Sequence, residues 1–221
     1  TSSENKVPLF IDAEESWIQD TIDVIAIKMM QKFNTQKAWI FNTIQLYRYD
    51  KLDYLKDLII KAREGDFFLG IKLVRGAYHK QEIKRAIEKG YRIPVHTKKE
   101  NTDKDYNLAL TECIKNIDII SVCSGTHNEE SSALLINLLK KHNISKNDKR
   151  IYFSQLLGMS DHISYNVAKF GFNVVKYVPY GPIKELLPYL IRRAEENTSI
   201  AGQMNRELSN IISEKKRRNK S

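Results

Sequence analysis

Short runs of apolar and β-branched residues alternate along the chain with longer stretches in which apolar positions recur at helical spacing. This alternation is the signature of a parallel α/β architecture. The short runs predict strands over residues 7–12, 39–45, 68–74, 117–122, 150–155 and 174–178. The stretches between them predict helices over 15–32, 51–63, 81–89, 132–142 and 161–169, an extra helical segment over 103–115 and a final helix over 186–197. Ser160 and Asp161 supply a cap signal for the helix over 161–169. No linker, repeat or low-complexity block separates these units, so the pattern predicts one domain over 7–200 and a basic tail over 201–221.

Polar and special residues collect where the predicted strands stop: Asp12, Gln45, Arg75 to Ala77, Thr126 to Asn128, Gln155 and Tyr177. In a parallel barrel all strands open their C-terminal ends onto one face, where barrel enzymes place their sites. An open doubly wound sheet gathers such groups only near its switch point. Six chemically loaded strand ends favour the barrel.

Composition narrows the function classes. With 42% apolar residues the chain can bury a sizeable core. The formal charge of +9 sits largely in Lys215, Lys216, Arg217, Arg218 and Lys220 and in Lys98 and Lys99. Such runs are solvated tails more often than binding patches, and neither a nucleic-acid-binding motif nor a basic face with interleaved aromatics accompanies them. Cys113 and Cys123 are the only cysteines, which indicates neither a disulfide framework nor a zinc module and fits a reducing compartment. No apolar run approaches the roughly 18 residues of a membrane span, and the first residues are polar rather than signal-like.

The final helix carries the most informative pattern. Leu187, Leu190, Ile191 and Ala194 form one apolar stripe, while Tyr189, Arg192, Arg193 and Glu196 share the opposite side. A charged face of this kind is commonly a solvated surface with an Arg192–Glu196 ion pair. Its functional reading is a pair of planar, bidentate guanidinium donors for a carboxylate, with Glu196 orienting one of them. A small amino acid or oxo acid suits such a pair.

Five blocks are distinctive together: FIDAEE from Phe10, KLVRGAY from Lys72, GTHN from Gly125, YVPYG from Tyr177 and YLIRRAEEN from Tyr189. In this order and spacing the chain resembles the proline dehydrogenase family, over about residues 7–197. The resemblance implies a distorted β/α (TIM-like) barrel that binds FAD without a Gly-x-Gly-x-x-Gly fingerprint, and no such fingerprint occurs here. It implies oxidation of L-proline to 1-pyrroline-5-carboxylate by hydride transfer to flavin, with electrons passed to a quinone and peripheral contact with a membrane. The implied location is bacterial cytoplasm beside the inner membrane, or the mitochondrial matrix side in a eukaryote.

By the same resemblance, Arg192 and Arg193 hold the proline carboxylate, backed by Tyr189 and Glu196, and Tyr177 packs on the pyrrolidine ring and disfavours a hydroxylated one. Asp12 and Lys72 act at the reacting centre. Lys72 lines the isoalloxazine with Asp12 and Gln45, where bifunctional bacterial members often carry arginine. Ala13, Val74, Arg75, Gly76, Ala77, Thr126, His127, Asn128 and Gln155 fall on cofactor-contacting positions. Thr97, Lys98 and Lys99 fall where the adenosine and phosphate end is held. No metal is expected, His127 lacking partner ligands at suitable spacing. In the family an earlier strand contributes a lysine to the carboxylate. A barrel closes with about eight strands, so the expectation is that this chain is the C-terminal portion, with at least the first strand missing and supplied upstream or by another chain. A cofactor-free barrel lyase or aldolase acting on a small carboxylate is the alternative enzyme class.

Overall fold

Each of the six apolar runs forms a strand, and each strand lies parallel beside its sequence neighbours, so the order across the sheet is the order along the chain. A computed structural model describes residues 2–199, 209, 212–213 and 215–218. They fall into two units, Thr1–Tyr177 and Val178–Ser221.

The first unit contains β1 (Leu9–Ile11), α1 (Ser16–Phe33), β2 (Ile40–Gln45), α2 (Lys51–Glu64), β3 (Leu69–Val74), α3 (His79–Lys89), α4 (Lys99–Lys115), β4 (Ile120–Gly125), α5 (Glu129–Lys141), β5 (Ile151–Leu156), α6 (Asp161–Lys169) and β6 (Val174–Tyr177). The strand order never reverses, so right-handed crossovers carry every connecting helix to the same side. A doubly wound sheet would reverse at a switch point. The sheet is therefore a curled half-barrel with a helical outer layer, the architecture of a distorted TIM barrel. Among the described residues β1 pairs only with β2, and β6 only with β5.

Side chains alternate between the two faces of a strand. On the outer face Ile40, Ile44, Leu69, Ile71, Leu73, Ile120, Val122, Ile151 and Phe153 are buried against the helices in one core with Leu55, Leu58, Tyr106, Leu110, Leu135 and Leu139. The concave face carries the residues between them. Register places Thr43 beside Lys72 and Lys72 beside Cys123 in one layer, below which Phe41 lies beside Gly70. Phe10 and Phe41 stack with ring centroids 4.6 Å apart. Gly70 leaves room for that stack, since a Cβ there would collide with the Ile40 carbonyl and the Phe41 ring.

Two expectations need correction. The fourth strand runs three residues later than 117–122, as Ile120–Gly125. Asn116 closes α4 and its carbonyl accepts from the backbone N–H groups of both Ile119 and Ile120, so a turn consumes the apolar residues that mimic a strand start. Arg150 Nη1 holds that turn through the Ile117 carbonyl, at 2.9 Å. Ser160 does precede α6, but in a left-handed conformation with no capping bond from its side chain. Several helices also start earlier than their patterns predict. α5 does so because Asn128 caps it, accepting from the Ser131 N–H at 2.8 Å.

The second unit contains α7 (Ile183–Ser199), whose first turn is anchored on the Pro182 carbonyl, which accepts from the Glu185 and Leu186 N–H groups. Of the predicted tail, positions 209, 212–213 and 215–218 are helical, and the rest lies outside the described residues.

Candidate active site

Because all six strands are parallel, their C-terminal ends share one edge of the sheet, and the predicted strand-end residues meet there. At its centre Lys72 Nζ donates to Asp12 Oδ1 at 2.5 Å. Thr43 Oγ1 reaches the same carboxylate oxygen at 3.4 Å, and the Lys72 ammonium lies 5.4 Å from the centre of the Tyr177 ring. Lys72 is mostly covered, whereas Asp12 and Tyr177 are open to solvent. An ion pair this exposed adds little stability. Its consequence is a fixed cation on the concave face. Cys123, next to Lys72 in register, is buried, and burial pushes its thiol up to about 11.

Gln45 does not simply point at a ligand. Its Nε2 donates to the Glu14 carbonyl at 2.7 Å, and its Oε1 accepts from the Ala77 N–H at 3.1 Å. A backbone carbonyl can only accept and an N–H can only donate, so the amide has one possible orientation. Gln45 thus ties the loop after β1, which includes Ala13, to the segment after β3. In that segment Gly76 has φ +141°, and a Cβ would run into the Tyr47 ring. Tyr78 is also engaged, its hydroxyl donating to Glu14 Oε2 at 2.5 Å.

Arg75 ties three elements to the segment after β3. Its Nε donates to Asp103 of α4 at 2.6 Å, its Nη1 to Thr126 Oγ1 after β4 at 2.6 Å, and its Nη2 to Ser131 of α5 at 3.0 Å. The guanidinium also lies 4.5 Å from the centre of the Tyr106 ring. Partial burial would raise the Asp103 carboxyl, but hydrogen bonds from Lys99 and Arg75 outweigh it and hold the group below its ordinary value. Lys99 is thereby paired with Asp103 at 2.5 Å while remaining largely exposed, and Thr97 and Lys98 are exposed beside it.

The remaining predicted residues also have protein partners. Thr126 is buried and its Oγ1 accepts from the Asn128 N–H at 3.0 Å. Gln155 donates to the Thr126 carbonyl at 3.2 Å and accepts from Ser164 Oγ at 2.9 Å. His127 Nδ1 lies 2.9 Å from Ser160 Oγ, which accounts for a Ser160 hydroxyl that does not cap α6. Val74 ends β3 beside Gln45. These bonds build a rigid edge from loops that differ widely in sequence position. In the second unit the Arg193 guanidinium lies 5.5 Å from the centre of the Tyr189 ring, as expected for residues one turn apart. The side chains of Arg192 and Glu196 lie outside the described residues.

The sequence reading passed over Glu14, Tyr78, Tyr47 and Gln19. Glu14 and Tyr78 sit inside two of the distinctive blocks, which was the signal available. Gln19 and Tyr47 carry no such signal, since what marks them is a tertiary contact: Gln19 Oε1 accepts from the Glu14 N–H at 2.7 Å, and the Tyr47 ring lies against Gly76. Among the described residues no three His, Cys, Asp or Glu side chains gather to hold a metal, and no helix is long and apolar enough to cross a membrane.

Comparison with known proteins places these features in a family. The family model described as "Proline dehydrogenase" matches residues 1–206. "Proline dehydrogenase 1, mitochondrial" of Drosophila melanogaster is 38% identical over 222 residues, covering 96% of this chain and 33% of the relative. The Homo sapiens protein of the same description is 41% identical over 210 residues, covering 93% of this chain and 35% of the relative. "Hydroxyproline dehydrogenase" of Xenopus laevis is 35% identical over 221 residues, 97% of this chain and 47% of the relative. Among solved structures, proline utilization A from Bdellovibrio bacteriovorus inactivated by N-propargylglycine superposes with a TM-score of 0.83 at 28% identity, over 89% of this chain and 20% of that one. The chain spans about a third of the length of the first curated relatives it matches.

Proposed function

The chain belongs to the proline dehydrogenase family, and on that premise we propose that the intact enzyme oxidises L-proline to 1-pyrroline-5-carboxylate with FAD as hydride acceptor and a quinone as final acceptor. One observation carries this reading: a covered cation, Lys72, held by Asp12 and lying over Tyr177, stands on the concave face among the strand ends.

The groups at this edge fit a flavin. Lys72 offers a positive charge suited to an electron-rich reduced ring, and the loops at Ala13 and Arg75 to Ala77 are held rigidly by Gln45. Thr97, Lys98 and Lys99 provide exposed donors and cations for the diphosphate end. A flavin held by these residues would supply the acceptor for the hydride that leaves the ring carbon next to the proline nitrogen. Asp12 fixes Lys72 in place so that its charge needs no reorganisation during the reaction. Tyr177 offers its ring face to the pyrrolidine, and Arg192 and Arg193 hold the carboxylate, with Tyr189 and Glu196 orienting them.

The sheet geometry supports a further part of this reading. A β/α barrel closes with about eight strands, and here both edge strands of the six-stranded sheet carry exposed apolar residues, Leu9 and Phe10 on β1 and Val175 on β6. Additional strands and helices of the intact enzyme cover them. The relatives named as mitochondrial support a mitochondrial setting, with the quinone drawing the enzyme to a membrane surface.

The test is the visible spectrum of the intact enzyme with and without L-proline under anaerobic conditions. A flavin band that bleaches with proline is expected. A folded protein that stays colourless after FAD is added overturns the reading in favour of a cofactor-free lyase.

A further inference from the structure

A buried polar relay runs from the outer helical layer to the strand-end edge. Lys51, the first residue of α2, donates to Asp23 Oδ2 at 2.6 Å, with both side chains almost fully covered. Asp23 Oδ1 accepts from Asn42 Nδ2 and from Gln19 Nε2, each at 2.8 Å. The carboxylate therefore has three donors, as a buried charge requires. Gln19, only 2% exposed, passes the connection on, its Oε1 accepting from the Glu14 N–H at 2.7 Å. The carbonyl of the same residue accepts from Gln45 Nε2, and Gln45 Oε1 accepts from the Ala77 N–H. Glu14 is thus held at both its N–H and its C=O by two glutamines of fixed orientation, one anchored on a buried ion pair and the other on the loop after β3.

Hydrophobic packing alone would not need this arrangement. α1, β2 and α2 could meet through apolar side chains at no loss of stability, since buried ion pairs are commonly no better than an apolar replacement. What the relay adds is direction. An amide with one permitted orientation defines the height and tilt of the Glu14 peptide, two residues after Asp12 and one after Ala13.

We propose that Gln19 is a positioning residue for the proposed oxidation: anchored by the Asp23–Lys51 pair, it sets the Glu14 peptide and, through Gln45, the Ala77 segment, and so the placement of the Asp12–Lys72 cluster relative to the reacting groups. This rests on the proline dehydrogenase reading above. Gln19 is buried and both ends of its amide are engaged within the protein, so it acts through the backbone it holds. Small displacements of reacting groups slow a reaction far more than they weaken binding, so its effect belongs in turnover.

The experiment uses the intact holoenzyme and reads kcat per mole of bound flavin and KM for L-proline in Gln19→Leu, Gln45→Leu and the double variant. Gln19→Leu lowers kcat per bound flavin by about 5- to 100-fold, with KM changed by less than about threefold. The double variant falls no more than about twofold below the slower single variant, because both substitutions release the same peptide. Gln19→Met, an unbranched side chain of similar length that also deletes both hydrogen bonds, is read in the same way and serves if the leucine variant does not fold. Wild-type turnover per flavin in a folded Gln19→Leu or Gln19→Met enzyme overturns the proposal, as do single effects that multiply in the double variant. A wild type that binds flavin and is not bleached by proline overturns the functional reading itself, and this inference with it.

Discussion

Lys72 Nζ stands 2.5 Å from Asp12 Oδ1 although 60 positions separate the two residues in the chain. The register explains it. β1 and β3 flank β2, and Ile11, Asn42 and Ile71 lie side by side, so the next residues, Asp12, Thr43 and Lys72, form one layer on the concave face. An acid and a base on strand ends either side of β2 become a fixed pair only because the three strands are parallel and unshifted.

Removing the cation tests its role. Lys72→Met in the intact enzyme is expected to slow flavin reduction by proline by about 10- to 1000-fold, the usual cost of deleting one preorganised electrostatic group, with flavin content near wild type. Anaerobic stopped-flow bleaching measures it, and an unchanged rate would return Lys72 to a purely structural role.

The arginine pair is tested at the substrate rather than the cofactor. Arg192→Lys and Arg193→Lys each weaken proline binding by about 1–3 kcal/mol, the worth of a charge-assisted hydrogen bond whose forked geometry lysine cannot match. Flavin content stays constant. Unchanged efficiency at low proline in both variants would make this a solvated helix face.

Two glycines separate conformational strain from steric collision. Gly90 has φ +70° in open space at the end of α3, whereas Gly76 has φ +141° with its missing Cβ directed at the Tyr47 ring. Gly90→Ala should cost about 1–2 kcal/mol and Gly76→Ala about 2–5 kcal/mol. Urea unfolding of the two variants gives the comparison, and equal losses would mean that Tyr47 moves aside freely.

Acidification should weaken the Arg75–Asp103–Lys99 cluster. The Asp103 carboxyl is held below its ordinary 3.8 in the folded protein because hydrogen bonds from Lys99 and Arg75 outweigh the burial that would raise it. A depressed folded value gives stability that is fully present above 3.8 and lost as pH falls through the folded value. The advantage of wild type over Asp103→Asn in urea midpoint should therefore shrink with acidification below that point. An advantage that grows instead contradicts the pairing.

Neither thiol should react in the native state. Burial pushes Cys123 up to about 11 and Cys113 higher still, and both side chains are covered. A thiol reagent at mildly alkaline pH should modify neither until denaturant is added. Rapid labelling of Cys123 in the folded enzyme would show that the concave face opens.

Local patterns in the chain were enough to determine the α/β class, the element order and the strand ends at which chemistry gathers, because helical and strand periodicities are properties of neighbouring residues. The blocks around Asp12 and Lys72 were legible through their resemblance to the proline dehydrogenase family rather than through periodicity. The start of β4 was not, since Ile117 and Ile119 have strand-like character and only the turn built on the Asn116 carbonyl removes them from the sheet. Nor could the sequence show that Gln45 is clasped between the Glu14 carbonyl and the Ala77 N–H, that Arg75 is occupied by Asp103, Thr126 and Ser131, or that Gln19 is part of the site's support. Those relations depend on backbone donors and acceptors brought together by strand register. Every residue carries the same backbone groups, so a sequence gives no sign of which will be left for a distant side chain until the fold has paired the rest.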